Sequence, residues 1–193
     1  MGGYNDLESD GGRIVWQNPS EILRKLGLTS GSVLVDLGSG DGFFAIPAAK
    51  IVGGQGQVFA LDINPDAIRR LRARASEAGL HNITYETGRA EDASICEECA
   101  DLVFLGIVLH DFDEPSRVLL NAKRMLRKTG RLVDLDWKKK PMKLGPPVEI
   151  RFSEDYASRL IESAGFGIES RESLGPYNYL IVAKPLCRNY TRV

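Results

Sequence analysis

The chain has 193 residues, 43% of them hydrophobic, which suits one domain with a sizeable core rather than two full domains. Its 25 Lys+Arg against 26 Asp+Glu leave a net charge of -1, so no global basic field draws it to nucleic acid or anionic lipid. No apolar run reaches the ~18 residues that span a bilayer, the opening MGGYNDLESD lacks the marks of a signal peptide, and three cysteines are too few for a secreted disulfide scaffold, so a cytoplasmic protein is expected.

Residues 1–17 are Gly-rich and polar and read as a flexible arm, in which Arg13 and Trp16 are placed to fold over a ligand. A single domain is expected over 18–184, followed by a tail, 185–193. It opens with a helix that Asn18 caps, Pro19 starts, Glu21 supports through a capping box and Gly27 ends, with Ile22, Leu23 and Leu26 on its apolar face. Val33 to Leu37 is a short apolar run with glycines behind it, as a buried parallel strand should be. A helix follows from about Phe43 to Val52, with Pro47 near its first turn. Gln57 to Leu61 reads as the second strand, and Asn64-Pro65 caps a helix with the stripe Ile68, Leu71, Ala75 and Ala78. The arginines at 69, 70, 72 and 74 fall mostly off that stripe, on a solvated face.

Ile83 to Glu86 and Leu102 to Leu105 are strands, and between them Cys96 and Cys99 form a CxxC. That pair could be half a zinc site or a redox couple, but no second ligand pair is nearby, so two thiols in a surface connection and no metal are expected. Pro115 starts a helix with Val118, Leu119, Ala122, Met125 and Leu126 on one face, and TGRLVDLDW is a strand entered through Gly130. Lys138 to Pro147, with three prolines, is a loop; Ser153 caps a helix that Gly165 ends; strands near Ile168 and over Tyr179 to Ala183 close the chain. Alternating strands and helices argue an α/β fold with a mainly parallel sheet.

Chemistry concentrates in VLVDLGSGDGFF and VFALDINPDAI. After the first strand of such a sheet, Gly38, Gly40 and Gly42 let a ligand approach the backbone, and Asp62, 20 residues beyond Gly42, ends the second strand where a carboxylate accepts ribose hydroxyls. Phe43 stands where a dinucleotide loop needs its third glycine, and no Lys follows as a phosphate loop requires, which disfavours NAD and ATP. A nucleoside without phosphates remains, and Asp36 suits the ammonium group of such a ligand unless it merely caps the turn.

These motifs resemble the class I S-adenosylmethionine-dependent methyltransferases, in particular the UbiE-like branch of ubiquinone and menaquinone biosynthesis. The resemblance spans about residues 18 to 184 and implies a Rossmann-like seven-stranded sheet, mostly parallel with the last strand antiparallel and helices on both faces. It implies S-adenosylmethionine as cofactor and S-adenosylhomocysteine as product. Asp36, Gly38, Ser39 and Gly40 would hold the methionine part, with Gly42 in the same cofactor loop, Asp62 the ribose, and Ile63 the adenine face, unless Ile63 is plain core. In TGRAEDAS, Arg89 replaces the family's usual acid and cannot accept from the adenine amino group, so Glu91 or Asp92 takes that contact while the Ala90 amide donates to the ring. Gly106 would sit against the cofactor.

His110, beside Asp111, is the one histidine near this rim, and is either a general base or a structural cap for the Pro115 helix. Trp137 and Lys138 to Lys140 open a loop on the same sheet end, a lid or substrate contact. The function expected is methyl transfer to a small-molecule acceptor. An RNA or protein methyltransferase, favoured only by the Lys run, and a non-catalytic binding module are the alternatives, and the oligomeric state is left open.

Overall fold

The computed structural model describes residues 17–186; the expected arm residues 1–16, with Arg13 and Trp16, and the tail residues 187–193, with Cys187, lie outside the described residues. In chain order the elements are α1 (Pro19–Lys25), β1 (Val33–Leu37), α2 (Ala45–Val52), β2 (Gln57–Asp62), α3 (Pro65–Glu77), β3 (Ile83–Thr87), β4 (Ala100–Gly106), α4 (Pro115–Met125), β5 (Leu126–Trp137), α5 (Glu154–Ser163), β6 (Phe166–Leu174) and β7 (Asn178–Pro185). One-turn helices interrupt the connections at Ala90–Asp92 and Leu109–Asp111.

The helix starts follow from local side-chain chemistry. Asn18 accepts from the Glu21 amide, Asn64 from the Asp66 amide and Ser153 from the Tyr156 amide, each satisfying a donor that a helix N-terminus leaves over. Pro19, Pro65 and Pro115 occupy first helical positions, where a missing amide hydrogen costs nothing. Pro47 is third in α2, still within the first turn, because the helix begins at Ala45 and not at the expected Phe43.

The strands form one seven-stranded sheet among the described residues, in the order β3-β2-β1-β4-β5-β7-β6. β1, β2, β3, β4 and β5 are parallel, and β7 inserts antiparallel between β5 and β6. The chain moves outward from β1 to β3 and then returns to place β4 on β1's other side, so the ends of β1 and β4 bound the crevice where such sheets bind ligands. Ile22, Leu23, Ala48, Val52, Ile68 and Leu71 of α1, α2 and α3 pack on one face. Val118, Leu119, Met125, Ala157 and Ile161 of α4 and α5 pack on the other.

Three further expectations change. Ala78 is exposed at the end of α3, outside the buried stripe of Ala67, Ile68, Leu71 and Ala75. Leu126 belongs to β5, because its backbone is already extended (ψ 136°) and pairs with Ala100 before the register shifts. Cys96 and Cys99 are joined in a disulfide rather than standing as two thiols, with Cα atoms 6.0 Å apart.

After β5 the irregular segment 138–153 is organised by one cation. Arg151, 2% exposed, donates to the carbonyls of Pro146 (2.7 Å), Leu144 (2.8 Å), Lys140 (3.0 Å) and Lys138 (3.3 Å), with its guanidinium over the Trp137 ring. Arg151→Met keeps the apolar stem and leaves those carbonyls without their donor, so urea denaturation should show a loss of about 2–4 kcal/mol. A loss below about 0.5 kcal/mol would mean that the segment holds itself.

Candidate active site

The glycine turn is tied to the end of β2. The Gly38 and Ser39 amides donate to Leu61 O (2.8 and 2.9 Å), and the Gly40 amide donates to Asp62 Oδ2 (2.7 Å). Asp62 Oδ1 accepts the Asn64 amide at 2.8 Å, and each oxygen keeps a further lone pair for a ligand hydroxyl. From the other side Arg74 donates to Asp41 O (3.0 Å), with its charge 3.5 Å from the Asp41 carboxylate. One arginine of the supposedly solvated face therefore clamps the turn.

The glycines differ in what uses their space. Gly38 (φ 79°) and Gly40 (φ 54°) have left-handed backbones, and a Cβ on Gly40 would meet nothing within 4 Å, which leaves its backbone approachable. A Cβ on Gly38 would lie 2.5 Å from Val108 Cγ2, one on Gly42 2.2 Å from Leu71 Cδ1, and one on Gly106 2.8 Å from the Phe104 ring, so these three make room for the protein's own side chains.

A cavity of about 270 Å³ opens at these strand ends. Gly38, Asp62 and Ile63 form one wall, Gly88 to Glu91 a second, and Val108, Asp111, Phe112 and Asp113 a third. Ile63 is 64% exposed and is not core. Ala90 and Glu91 are buried facing the cavity, whereas Asp92 turns outward to Arg117 (2.8 Å), so Glu91 is the better placed of the two acids. Arg89 spans the opening, 2.8 Å from Asp113 and 3.3 Å from Glu91. A larger groove of about 720 Å³, lined by Arg117, Leu120 and Lys123 among others, lies outside α4 and contains none of these strand-end groups.

Two positioning features carry no obvious sequence signal. Asn121, buried on α4, donates to the carbonyls of Ala90 (3.0 Å) and Glu91 (2.7 Å) and so fixes the second wall. Ile107 holds φ 63°, unfavourable for a β-branched residue, at the point where β4 turns into the third wall.

Beneath the turn, Asp36 is 2% exposed and its Oδ2 has no hydrogen-bond partner among the described residues. Burial, with the nearby charge of Asp62, pushes its carboxyl up from 3.8 to about 7. Ser39 Oγ is likewise buried without a partner. These atoms fit a ligand that brings a cation and hydrogen-bond donors to the turn, as the ammonium and amino acid end of S-adenosylmethionine would. At the far end of the third wall His110 Nδ1 lies 2.8 Å from Asp136 Oδ2.

The ionisation of Asp36 sets a pH dependence. With its folded value near 7, above the unfolded 3.8, the native state holds the proton more tightly, so this group's contribution is greatest at low pH and falls between about pH 4 and 7. Asp36→Asn should therefore stabilise the ligand-free protein at pH 8 by up to roughly 4 kcal/mol and flatten that slope in denaturation curves. An unchanged slope would show that Asp36 is not strained.

Residues 28–162 match the family model described as Methyltransferase domain. The chain is 25% identical over 162 residues to the ubiquinone/menaquinone biosynthesis C-methyltransferase UbiE of Marinomonas sp. (strain MWYL1), covering 83% of this chain and 62% of that one. It is 29% identical over 109 residues to the arsenite methyltransferase of Halobacterium salinarum, covering 56% and 28%. It thus spans less than two thirds of the length of these curated relatives. A crystal structure of a SAM-dependent methyltransferase from Aquifex aeolicus superposes with a TM-score of 0.84 at 27% identity, covering 89% of this chain and 91% of that one. With the matched family domain, the sheet order and the glycine turn in agreement, the chain belongs to the S-adenosylmethionine-dependent methyltransferase family.

Proposed function

We propose that this protein transfers a methyl group from S-adenosylmethionine to a small-molecule acceptor. The observation that carries the reading is the buried Asp36 carboxyl, whose Oδ2 has no partner among the described residues, beneath an approachable glycine turn, with Asp62 beside it. Asp36, Gly38, Ser39 and Gly40 would hold the amino acid end, Asp62 the ribose hydroxyls, Ile63 the adenine face, and Ala90 with Glu91 its edge. When bound, the cofactor supplies an electrophilic methyl group, whose carbon accepts the acceptor's electron pair while the carbon–sulfur pair stays on sulfur.

The protein's own part is chiefly to hold two reactants in line and exclude water from them, since placement alone supplies a large share of such a rate. Trp137 and the Arg151-fastened segment stand at the same sheet end and would border the acceptor. A small acceptor is supported over nucleic acid by the lysines themselves: Lys138 Nζ bonds Ser173 Oγ and Gly175 O, and Lys139 Nζ bonds Glu149 O. They serve the fold more than a phosphate backbone. Among the described residues the cysteines lie away from these strand ends. Cys99 precedes β4 and Gly106 ends it, roughly 20 Å apart at ~3.3 Å per strand residue.

Calorimetry should show S-adenosylmethionine and S-adenosylhomocysteine binding and NAD and ATP not binding. If the ammonium group docks on Asp36, binding at pH 6.5 releases a proton, so the measured heat varies with the ionisation enthalpy of the buffer; a buffer-independent heat would remove Asp36 from the contact. Asp62→Ala should weaken S-adenosylhomocysteine at least tenfold, at about 1.5–3 kcal/mol per charge-assisted hydrogen bond. A change below threefold excludes it from the ribose site. Tritiated cofactor should label the protein-free fraction of a cell extract, and labelling confined to RNA or protein would overturn the small-molecule reading.

A further inference from the structure

At the acceptor end, the strand tips hold a chain of titratable side chains that cofactor binding does not use. His110 follows the strained Ile107 on the Leu109–Asp111 turn, between Val108 and Asp111 of the cavity wall. Its side chain is 2% exposed and that of Asp136, at the end of β5, is 1% exposed; Nδ1 and Oδ2 are 2.8 Å apart. Asp136 is itself fixed, because its Oδ1 accepts the Trp137 amide at 2.7 Å and its carbonyl accepts from Asn178 at 3.3 Å. A carboxylate oxygen only accepts, so the Nδ1 position carries the proton and Nε2 of the neutral ring keeps the lone pair. Nε2 lies 3.3 Å from Asp111 Oδ1, a contact that favours a proton on Nε2 as well, so Nε2 offers its lone pair only when the ring is neutral and Asp111, 58% exposed and lining the cavity, turns aside.

We propose, resting on the methyl-transfer reading, that Asp136 is a positioning residue that holds His110 with Nε2 toward Asp111 at the cavity rim, where it takes the proton of an acceptor bearing an acidic hydroxyl or carbon. The exposed Asp111 side chain rotates away as the acceptor arrives. The acceptor's bond to hydrogen breaks, its electron pair stays on the acceptor atom that is methylated, and the proton goes to Nε2. The imidazolium so formed keeps its Nδ1 hydrogen bond to the Asp136 carboxylate, which offsets its charge.

The surroundings agree with a group built to gain a proton. Burial alone lowers the His110 pKa, but the Asp136 hydrogen bond and the charges of Asp136 and Asp111 outweigh burial and the opposing charge of Arg151, leaving it above 6.5. Those three residues are the charged neighbours from β5, the turn and the 138–153 segment. Behind Asp136, Asp134 is fully buried, and burial with the charge of Asp136 holds its carboxyl well above the usual range. A linked set of perturbed groups at a ligand-binding edge is a pattern associated with proton transfer more than with packing.

The chain has two histidines, His81 and His110, so the imidazole signals in a nuclear magnetic resonance titration are assigned with one variant, His81→Gln. The wild-type His110 should titrate above 6.5 with its proton on Nδ1, and Asp136→Asn should lower that pKa by about one unit or more. Asp111→Asn, at an exposed position that does not endanger folding, should lower it as well. The pH-rate profile for labelling the protein-free extract fraction should rise through the same pKa, move with it in both variants, and recover in part in Asp136→Glu. The S-adenosylhomocysteine affinity of Asp136→Asn, a residue outside the cavity wall, should stay within threefold. A His110 pKa insensitive to both variants, or one that moves while the rate limb stays, overturns the proposal. Failure of the adenosyl ligands to bind in calorimetry would instead overturn the functional reading beneath it.

Discussion

The Asp62 carboxylate joins two backbone segments that would otherwise be independent. One oxygen holds the Gly40 amide of the turn after β1, and the other holds the Asn64 amide at the start of α3. A carboxylate is suited to this because its two oxygens accept from two directions and still have lone pairs to offer. The left-handed glycine turn is thereby held open against the β2 end, and the cavity walls are built outward from it. Charge-assisted bonds of this kind are individually stronger than ordinary amide contacts, so a single residue can hold both the shape of the turn and a ligand hydroxyl.

Around that contact the protein concentrates carboxyl groups with very different surroundings. Asp36 lies on the buried side of the turn with an oxygen that no described residue satisfies, an arrangement that is unfavourable for the isolated fold. Asp62 is satisfied by amides. Asp136 is satisfied by the Trp137 amide and faces a histidine. One residue type thus serves as backbone clamp and imidazole partner and, in the proposed function, as cation acceptor, with the roles set by burial and by which donor stands opposite.

The second and third walls depend on side chains from outside the strand ends. Asn121 reaches from α4 to hold the Ala90 and Glu91 carbonyls, so the cavity and the helix packing are mechanically linked. Arg151 gathers the carbonyls of the segment after β5 in the same manner. Buried carbonyls need donors, and a long side chain with several N–H groups meets that need where an irregular segment has no ladder to join.

Much of the molecule was legible in the order of residues. Alternating periods, Asn-Pro helix starts and a glycine turn followed by Asp62 are local signals, because helix caps, buried strands and tight turns involve neighbours in the chain. The seven-stranded, mostly parallel sheet with an antiparallel last strand came from the family resemblance, and the observed strand number and directions agree with it. Tertiary structure decided what spacing cannot encode. Gly42 and Gly106 look like ligand glycines in sequence, but Leu71 and Phe104 occupy the directions their side chains would take. Glu91 and Asp92 are adjacent and chemically alike, and only the turn at Ala90–Asp92 directs one inward and the other to Arg117. His110 and Asp136, 26 residues apart, meet because β4 and β5 are neighbours in the sheet. By itself the sequence determined the elements and the chemistry of the turn after β1; the pairing of strands decided which distant side chains share a buried site, since those contacts depend on register and burial rather than on distance along the chain.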